Sequence, residues 1–389
     1  MAVLTGAEQL RAEQFARLRG KRVGLLTNPT GVTADLTSLV DLLGTAQGVT
    51  LAALFGPEHG LLAGAAAGEE VGEATHPRFG VPIHSLYGSR QAPTPESLTG
   101  LDVLVIDLQD IGARFFTYLA TVALTLEVCG QTGTPVLILD RPNPIDGEVI
   151  EGPIVEPDLS SFVGQLPIPI RHGLTLGELA HFANDTEGFG APLEVLPVQG
   201  WRRSMRHAAT GLPWVLPSPN VPTIHTADVY TGTCLIEAPN LSEGRGTTLP
   251  FELIGAPWLD GERLAADLNA LDLPGVRWRP VAFTPSSTSR DHIGIPCFGV
   301  QIHPTDLVAL RTIPAALHLM TLARAQDVGA FSWREPWAVG SERPVELLSG
   351  TRSFAAAIDA AVPVAEIIAG WEPALAQFRE DRRPYLLYE

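Results

Sequence analysis

Long hydrophobic runs are missing from this chain. Although 45% of its 389 residues are hydrophobic, no apolar stretch approaches the ~20 residues that cross a bilayer, so no membrane partner is expected. The start, Met1 to Glu8, lacks the basic residues and apolar core of a secretory signal, and cytoplasmic residence is the expectation. Cysteine is scarce: Cys129, Cys234 and Cys297 form neither a close pair nor a Cys-x-x-Cys. That excludes a zinc knuckle, a redox dithiol and a disulfide framework, and predicts buried thiols. Positive charge is outnumbered, with 26 Lys and Arg against 43 Asp and Glu and a net charge of −17. Such a field repels nucleic acid and anionic membranes, and favours a neutral or singly charged small ligand gripped by local arginines.

Several motifs are absent too. No Gly-x-Gly-x-x-Gly follows the first strand-like run and no Gly-x-x-x-x-Gly-Lys-Ser/Thr occurs, so no nucleotide cofactor is expected. His-Glu-x-x-His is missing and the ten histidines show no ligand spacing, so no metal is expected. Asn240-Leu241-Ser242-Glu243-Gly244 has Asn where a nucleophile elbow requires Gly, which argues against a serine hydrolase.

What is present is alternation. Strand-like runs at Arg22–Thr27, Val49–Phe55, Val81–Tyr87, Val103–Leu108, Pro135–Asp140 and Leu193–Val198 are separated by helix-like segments, the pattern of a doubly wound parallel sheet, a Rossmann-like α/β fold. Pro82 either places the third strand towards an edge or leaves its first residue unpaired. From Val229 the texture changes to short strands such as Gly299–His303 and apolar helical stretches at Leu307–Ala325 and Phe354–Gly370, which reads as a smaller α+β domain. A chain of this length exceeds one core, and Leu216–Thr223, with Pro217, Pro219 and Pro222, can propagate neither helix nor central strand. The expected division is residues 1–228 and 229–389, with a cleft between the domains.

Polar residues gather where the predicted strands end. The second ends in Gly56-Pro57-Glu58-His59-Gly60; Asn28, Tyr87 to Arg90, Asp107 to Arg114 and Asp140 to Asn143 follow the others. Carboxyl ends of parallel strands share one edge, so these residues are expected to surround one cleft. Glu58, bracketed by glycines, is the leading catalytic candidate, with His59 in support. Asp110 and Arg114 read equally well as ligand contacts or as an internal salt bridge. Two prolines fix Asn143 and its neighbour Arg141. In Asn240–Thr248, alternating glycines bring Glu243 and Arg245 to one point, as a ligand site or as an intradomain pair. Thr175 three residues before Glu178 is a capping box, so those two are caps rather than catalysts.

Together Gly56-Pro57-Glu58-His59-Gly60, Ser85-Leu86-Tyr87-Gly88, Gln109 to Phe115, Asp140-Arg141-Pro142-Asn143-Pro144, Arg171-His172-Gly173, Pro217-Ser218-Pro219-Asn220 and Ser242 to Thr247 resemble the NamZ-type exo-β-N-acetylmuramidases that trim peptidoglycan fragments. The resemblance implies a Rossmann-like domain closed by a smaller one, and release of N-acetylmuramic acid from a non-reducing end with Glu58 as general acid/base. The substrate is then a small glycan or muropeptide, and recycling of imported fragments is the expected setting. The second catalytic group would be Glu243, Asp110 or the substrate's acetamido group. Arg114, Arg141 and Arg245 are candidates for the lactyl carboxylate; His59, Asp110, Tyr118, Asn143, His172 and Asn220 complete the expected binding set. The chain departs from the family's pattern at Phe283–Ser289, which lacks an expected lysine. Two other readings are an amidase or esterase using His59 as base, and a non-catalytic sugar-binding protein.

Overall fold

The computed structural model describes residues 3–62, 72, 74–88, 90–286 and 291–389. Ser89 of the third strand's rim and Ser287–Ser289 of the departing stretch lie outside the described residues. Its first layer is a seven-stranded sheet of β1 (Arg22–Thr27), β2 (Thr50–Gly56), β3 (Ala74–Thr75), β4 (Pro82–Ser85), β5 (Val103–Asp107), β6 (Val136–Leu139) and β9 (Leu193–Leu196). The order is β3-β4-β2-β1-β5-β6-β9, parallel throughout except for β3. All six strand-like runs of the sequence lie in this sheet. Short β3 covers the edge beside β4, and Pro82 opens β4, where its missing N–H costs least.

The apolar runs behave as strands flanked by helices on both faces should: β5 and β6 are buried at every position. One face packs Leu26, Phe55, Leu104 and Ile106 against the helix Tyr118–Thr132, while the other packs Leu25, Leu54, Val105 and Leu139 against Leu10 and Leu43. Each such side chain contributes about 1.5–3 kcal/mol on burial. Thr175 and Glu178 form the capping box of the helix Leu176–Thr186, as the spacing predicts. A two-stranded antiparallel ribbon, β7 (Glu151–Ile154) with β8 (Pro169–Arg171), follows β6 and has no counterpart in the sequence reading.

Beyond the helix Ile224–Thr233 lies a second, antiparallel sheet, β10 (Leu253–Ala256), β12 (Cys297–Pro304) and β11 (Val276–Phe283) in that order. The stretch Phe354–Gly370 is not one helix. It breaks between Ser353–Asp359 and Val364–Asp381, because Pro363 cannot donate a helical hydrogen bond and Ala361 turns left-handed at φ 52°. The last of these helices leans back on the first sheet's side, setting Leu375 and Phe378 against Leu179 and Phe182. After it Leu387 N donates to Glu178 Oε1 (2.8 Å) and Arg203 N to the Glu389 carbonyl (2.8 Å). The N-terminal end joins the same region through Leu4 N to Gln199 O (2.9 Å). All three cysteines are buried. Among the described residues no helix is long and apolar enough to cross a membrane.

Candidate active site

The turn after β2 is built to hold Glu58. Gly56 closes the strand where a Cβ would meet Leu61 N at 2.6 Å, and Gly60 N returns to Pro57 O (2.9 Å). The turn needs a left-handed residue, and His59 supplies it at φ 71°, a conformation uncommon outside glycine but one that histidine adopts more readily than most side chains. Glu58 is thereby buried, 8% exposed, with Oε2 accepting the Thr117 hydroxyl at 2.6 Å. Thr117 begins the helix that follows β5, so two strand ends determine how this carboxyl is aimed.

Glu58 lines a cleft of about 470 Å3 with Tyr87, Gln91, Phe115, Phe162, Tyr230, Glu237, Arg245, Trp337 and Leu348. Continuous with it, sharing Glu58, Phe115, Thr117, Tyr230 and Arg245, is a recess of about 40 Å3 reaching His59, Tyr118, Ser218, Asn220 and Phe251. The rings interlock edge to face, Phe116 on Tyr118 and Tyr230 on Phe251, each pair with centroids 4.7 Å apart. Tyr118 is fully buried; it donates to Pro217 O and accepts from Asn28 Nδ2 (2.7 Å). Burial and the nearby Glu58 charge push its phenol well above the ordinary tyrosine range.

The cation at this site comes from the loop Ser242–Thr247. Ser242 bonds Gly255 of β10 in both directions, and Gly244 (φ 82°) passes where a Cβ would meet Leu253 O at 2.7 Å. Thus held, Arg245 donates from Nη2 to Glu237 Oε1 (2.7 Å), approaches Glu243 Oε1 through Nε (3.2 Å) and lies 4.9 Å over the Phe251 ring. The two acids keep its guanidinium charged against the cost of burial. Glu243 is not in the cleft. It is fully buried behind Arg245, with Arg334 Nη2 3.6 Å away on its other side, and burial followed by the Glu237 charge raises its carboxyl above the ordinary range. The Glu–Arg pair weighed from the sequence is therefore present, and it presents Arg245 to the cleft while withdrawing Glu243.

The rim beyond β5 and β6 is taken up largely by internal partners, with a separate recess of about 20 Å3 lined by Thr30, Val32, Gln109, Arg141 and His207. Arg114 is fully buried and donates to four backbone carbonyls: Pro153 (2.7 Å) and Ile168 (2.9 Å) from Nη1, Leu348 (2.9 Å) and Ser349 (2.8 Å) from Nη2. Among the described residues no acid pairs with it, so the Asp110–Arg114 bridge, one of the two readings weighed, does not form, and burial pulls the guanidinium down to about 9. Arg141 is spent on Asp107, by Nε at 2.5 Å and Nη2 at 2.9 Å. Asn143 is rigid as expected, but its amide serves the fold, giving to Leu174 O (3.0 Å) and taking from Ile145 N (3.2 Å). Asp110 accepts from Gly112 N (2.6 Å) and lies 3.6 Å from His172 Nε2, while His172 Nδ1 accepts from Leu174 N (3.2 Å). None of these five lines the cleft. Of the expected set, Glu58, His59, Tyr118, Asn220 and Arg245 do. The sequence reading missed Thr117 and Glu237. Glu237 carried a usable signal, an acid inside the apolar run Cys234-Leu235-Ile236-Glu237-Ala238.

A carboxyl fixed at a parallel strand's end and a guanidinium from the loop before β10 line one aromatic cleft in a two-domain α/β protein. Family profiles described as exo-beta-N-acetylmuramidase NamZ match at residues 23–225 for the N-terminal part and 228–388 for the C-terminal part. The chain belongs to the NamZ family. It is 44% identical over 386 residues to the peptidoglycan beta-N-acetylmuramidase NamZ of Bacillus subtilis (strain 168), covering 99% of this chain and 91% of that protein. Crystal structures of two DUF1343 family proteins from Bacteroides fragilis NCTC 9343 share the fold. They superpose with TM-scores of 0.90 and 0.77 at 36% and 31% identity, each covering 100% of this chain and 99% of the other.

Proposed function

We propose that the chain is an exo-acting glycosidase that releases N-acetylmuramic acid from the non-reducing end of peptidoglycan fragments, with Glu58 as general acid/base. The observation that carries this reading is Glu58 and Arg245 lining one cleft. Glycoside hydrolysis needs an acid beside the leaving oxygen. The Thr117 hydroxyl occupies Glu58 Oε2, so Oε1 carries the proton given to that oxygen. A guanidinium matches the lactyl carboxylate that distinguishes muramic acid from glucosamine, and Arg245 is the expected cation that reaches the cleft. The recess of about 40 Å3 has room for a few waters or for one ring substituent, since a water needs ~10–15 Å3. It has no space for another sugar, as suits action on a chain end. Neither Glu243 nor Asp110 lines the cleft, and the substrate's acetamido group is the second group we favour. The domains implied are residues 1–228, carrying Glu58, and 229–389, carrying Arg245.

Chromophore release from a β-N-acetylmuramide and from the matching β-N-acetylglucosaminide, by wild type and Glu58→Gln, tests the proposal. Turnover of the muramide that is lost in the variant, with affinity for N-acetylmuramic acid retained, is the expected result. Failure of wild type to turn over either sugar or intact muropeptides would refute it.

A further inference from the structure

The recess beside Glu58 has a fixed size. Five rings line it, Phe115, Phe116, Tyr118, Tyr230 and Phe251, none more than 6% exposed. They brace one another edge to face: to the two pairs already described are added Phe115 on Tyr230 at 5.5 Å and Phe116 on Tyr230 at 6.1 Å. Val221, 1% exposed, lies among them. Side chains packed to interior density leave such a wall little room to yield. The polar groups of the recess are fixed as well. The Thr117 hydroxyl is given to Glu58 and the Tyr118 hydroxyl to Pro217 O. Pro217 leads into a turn closed by Val221 N on Ser218 O (2.9 Å), within which Asn220 N donates to Ser218 Oγ (3.3 Å). Asn220 lines the recess, and among the described residues no hydrogen bond occupies its side-chain amide.

We infer that this recess is the N-acyl pocket of the site: it receives the 2-acetamido group of the sugar, with the methyl against the rings and the amide on Asn220, and it has no space for a longer acyl group. The inference rests on the substrate reading above. Size supports it. At ~10–15 Å3 for each water-sized position, about 40 Å3 holds about three heavy atoms, as many as the acetyl group has. The lactyl group is larger, and its carboxylate would lose its hydration among five rings. Chemistry supports it too. A buried acetamido group needs an acceptor for its N–H and a donor for its carbonyl, and one carboxamide side chain offers both. Connectivity agrees. The acetamido group stands on the carbon next to the anomeric centre, so its pocket must adjoin the general acid, and the recess shares Glu58 with the cleft. The lactyl ether stands one carbon further on. Arg245 lines recess and cleft alike, where neighbouring substituents of one ring would meet it from its two sides.

Chromogenic β-muramides that differ only in the acyl group, N-acetyl and N-propionyl, test the pocket. One methylene too many in a closed apolar pocket is worth about tenfold to a hundredfold, and wild-type kcat/KM for the N-propionyl sugar should be lower by that factor. Val221→Ala widens the recess, and in this variant the propionyl-to-acetyl ratio of kcat/KM should rise about tenfold. A variant that is merely less stable lowers both rates together and leaves their ratio where it was. Asn220→Ala should raise KM for the N-acetyl sugar about tenfold through the lost hydrogen bonds. Should Val221→Ala fail to fold, calorimetric titration of wild type with N-acetyl- and N-propionylmuramic acid reads the same discrimination as a ratio of affinities. Equal kcat/KM for the two acyl groups in wild type, or a ratio that Val221→Ala does not move, overturns the pocket and leaves the substrate reading standing. Failure of wild type to turn over or bind the N-acetyl sugar would overturn the substrate reading itself, and the pocket with it.

Discussion

Arg114 should be a load-sharing joint between the domains, and replacing it should cost stability rather than substrate affinity. Arg114→Met keeps the length and removes the donors of four hydrogen bonds, two to β7–β8 backbone and its approach (Pro153, Ile168) and two to the helix end at Leu348 and Ser349. Each buried carbonyl left without a donor costs about 1–3 kcal/mol, or roughly 4–12 kcal/mol for the set. Against this stands the relief of no longer burying a guanidinium that has no acid partner, which is worth several kcal/mol. The balance is a net loss of a few kcal/mol, a sizeable part of the ~5–15 kcal/mol by which domains are stable. Arg114→Lys should lie between, since three donors from one nitrogen cannot span carbonyls on two domains. The assay is equilibrium urea denaturation followed by circular dichroism, alongside KM for the muramide and the glucosaminide. A Met variant as stable as wild type, with KM raised for the muramide alone, would refute the reasoning and return Arg114 to the binding site.

Arg245→Met should raise KM for the muramide by about a hundredfold, the ~1.5–3 kcal/mol of a charged hydrogen bond, with little effect on the glucosaminide; equal losses on both in paired kinetics would contradict it. Thr117→Val removes the hydroxyl from Glu58 Oε2 and should slow kcat about tenfold while shifting its pH profile, and an unaltered profile would speak against that contact. Burial raises the Asp140 carboxyl to about 6 despite bonds from Tyr388, Thr175 and Gly177. Its folded form holds a proton more firmly than its unfolded form, so this group adds stability as pH falls through about 6 towards 4. Denaturation midpoints at pH 4.5 and 7.5 should show Asp140→Asn losing that gain, and a variant with the wild-type pH dependence would exclude it.

The first sheet was legible because parallel strands buried on both faces must be written as continuous apolar runs, and Val103–Leu108 or Pro135–Asp140 can be little else. Glu58 was legible for a related reason. A carboxylate between glycines at such a run's end is placed by backbone geometry alone, and that geometry is local. The arginines were not legible. Arg114, Arg141 and Arg245 look alike along the chain, and what separates them is partners distant in sequence: carbonyls up to 235 positions away for Arg114, Asp107 for Arg141, Glu237 and an open cleft for Arg245. The bridge weighed for Asp110 and Arg114 as one of two readings is absent for a similar reason: nearness in sequence says nothing of the distant backbone carbonyls that take both Nη atoms of the buried guanidinium. The single helix expected over Phe354–Gly370 failed locally, at Pro363, whose signal was in view but was outweighed by the apolar run.

Residues 382–389 lie against the first domain, where Arg382 donates to the His172 and Gly173 carbonyls (3.1 and 3.0 Å), Leu387 meets Glu178 and Tyr388 meets Asp140. A ribosome adding residues in order delivers Glu178 and Asp140 some two hundred positions before the segment that completes their surroundings. The Rossmann-like part therefore cannot finish as an autonomous unit during synthesis: its final contacts wait for the other domain to be threaded past and for the tail to return. Assembly of this protein is a loop that closes late, and cutting the chain between its two domains would leave the first half with an unmet edge.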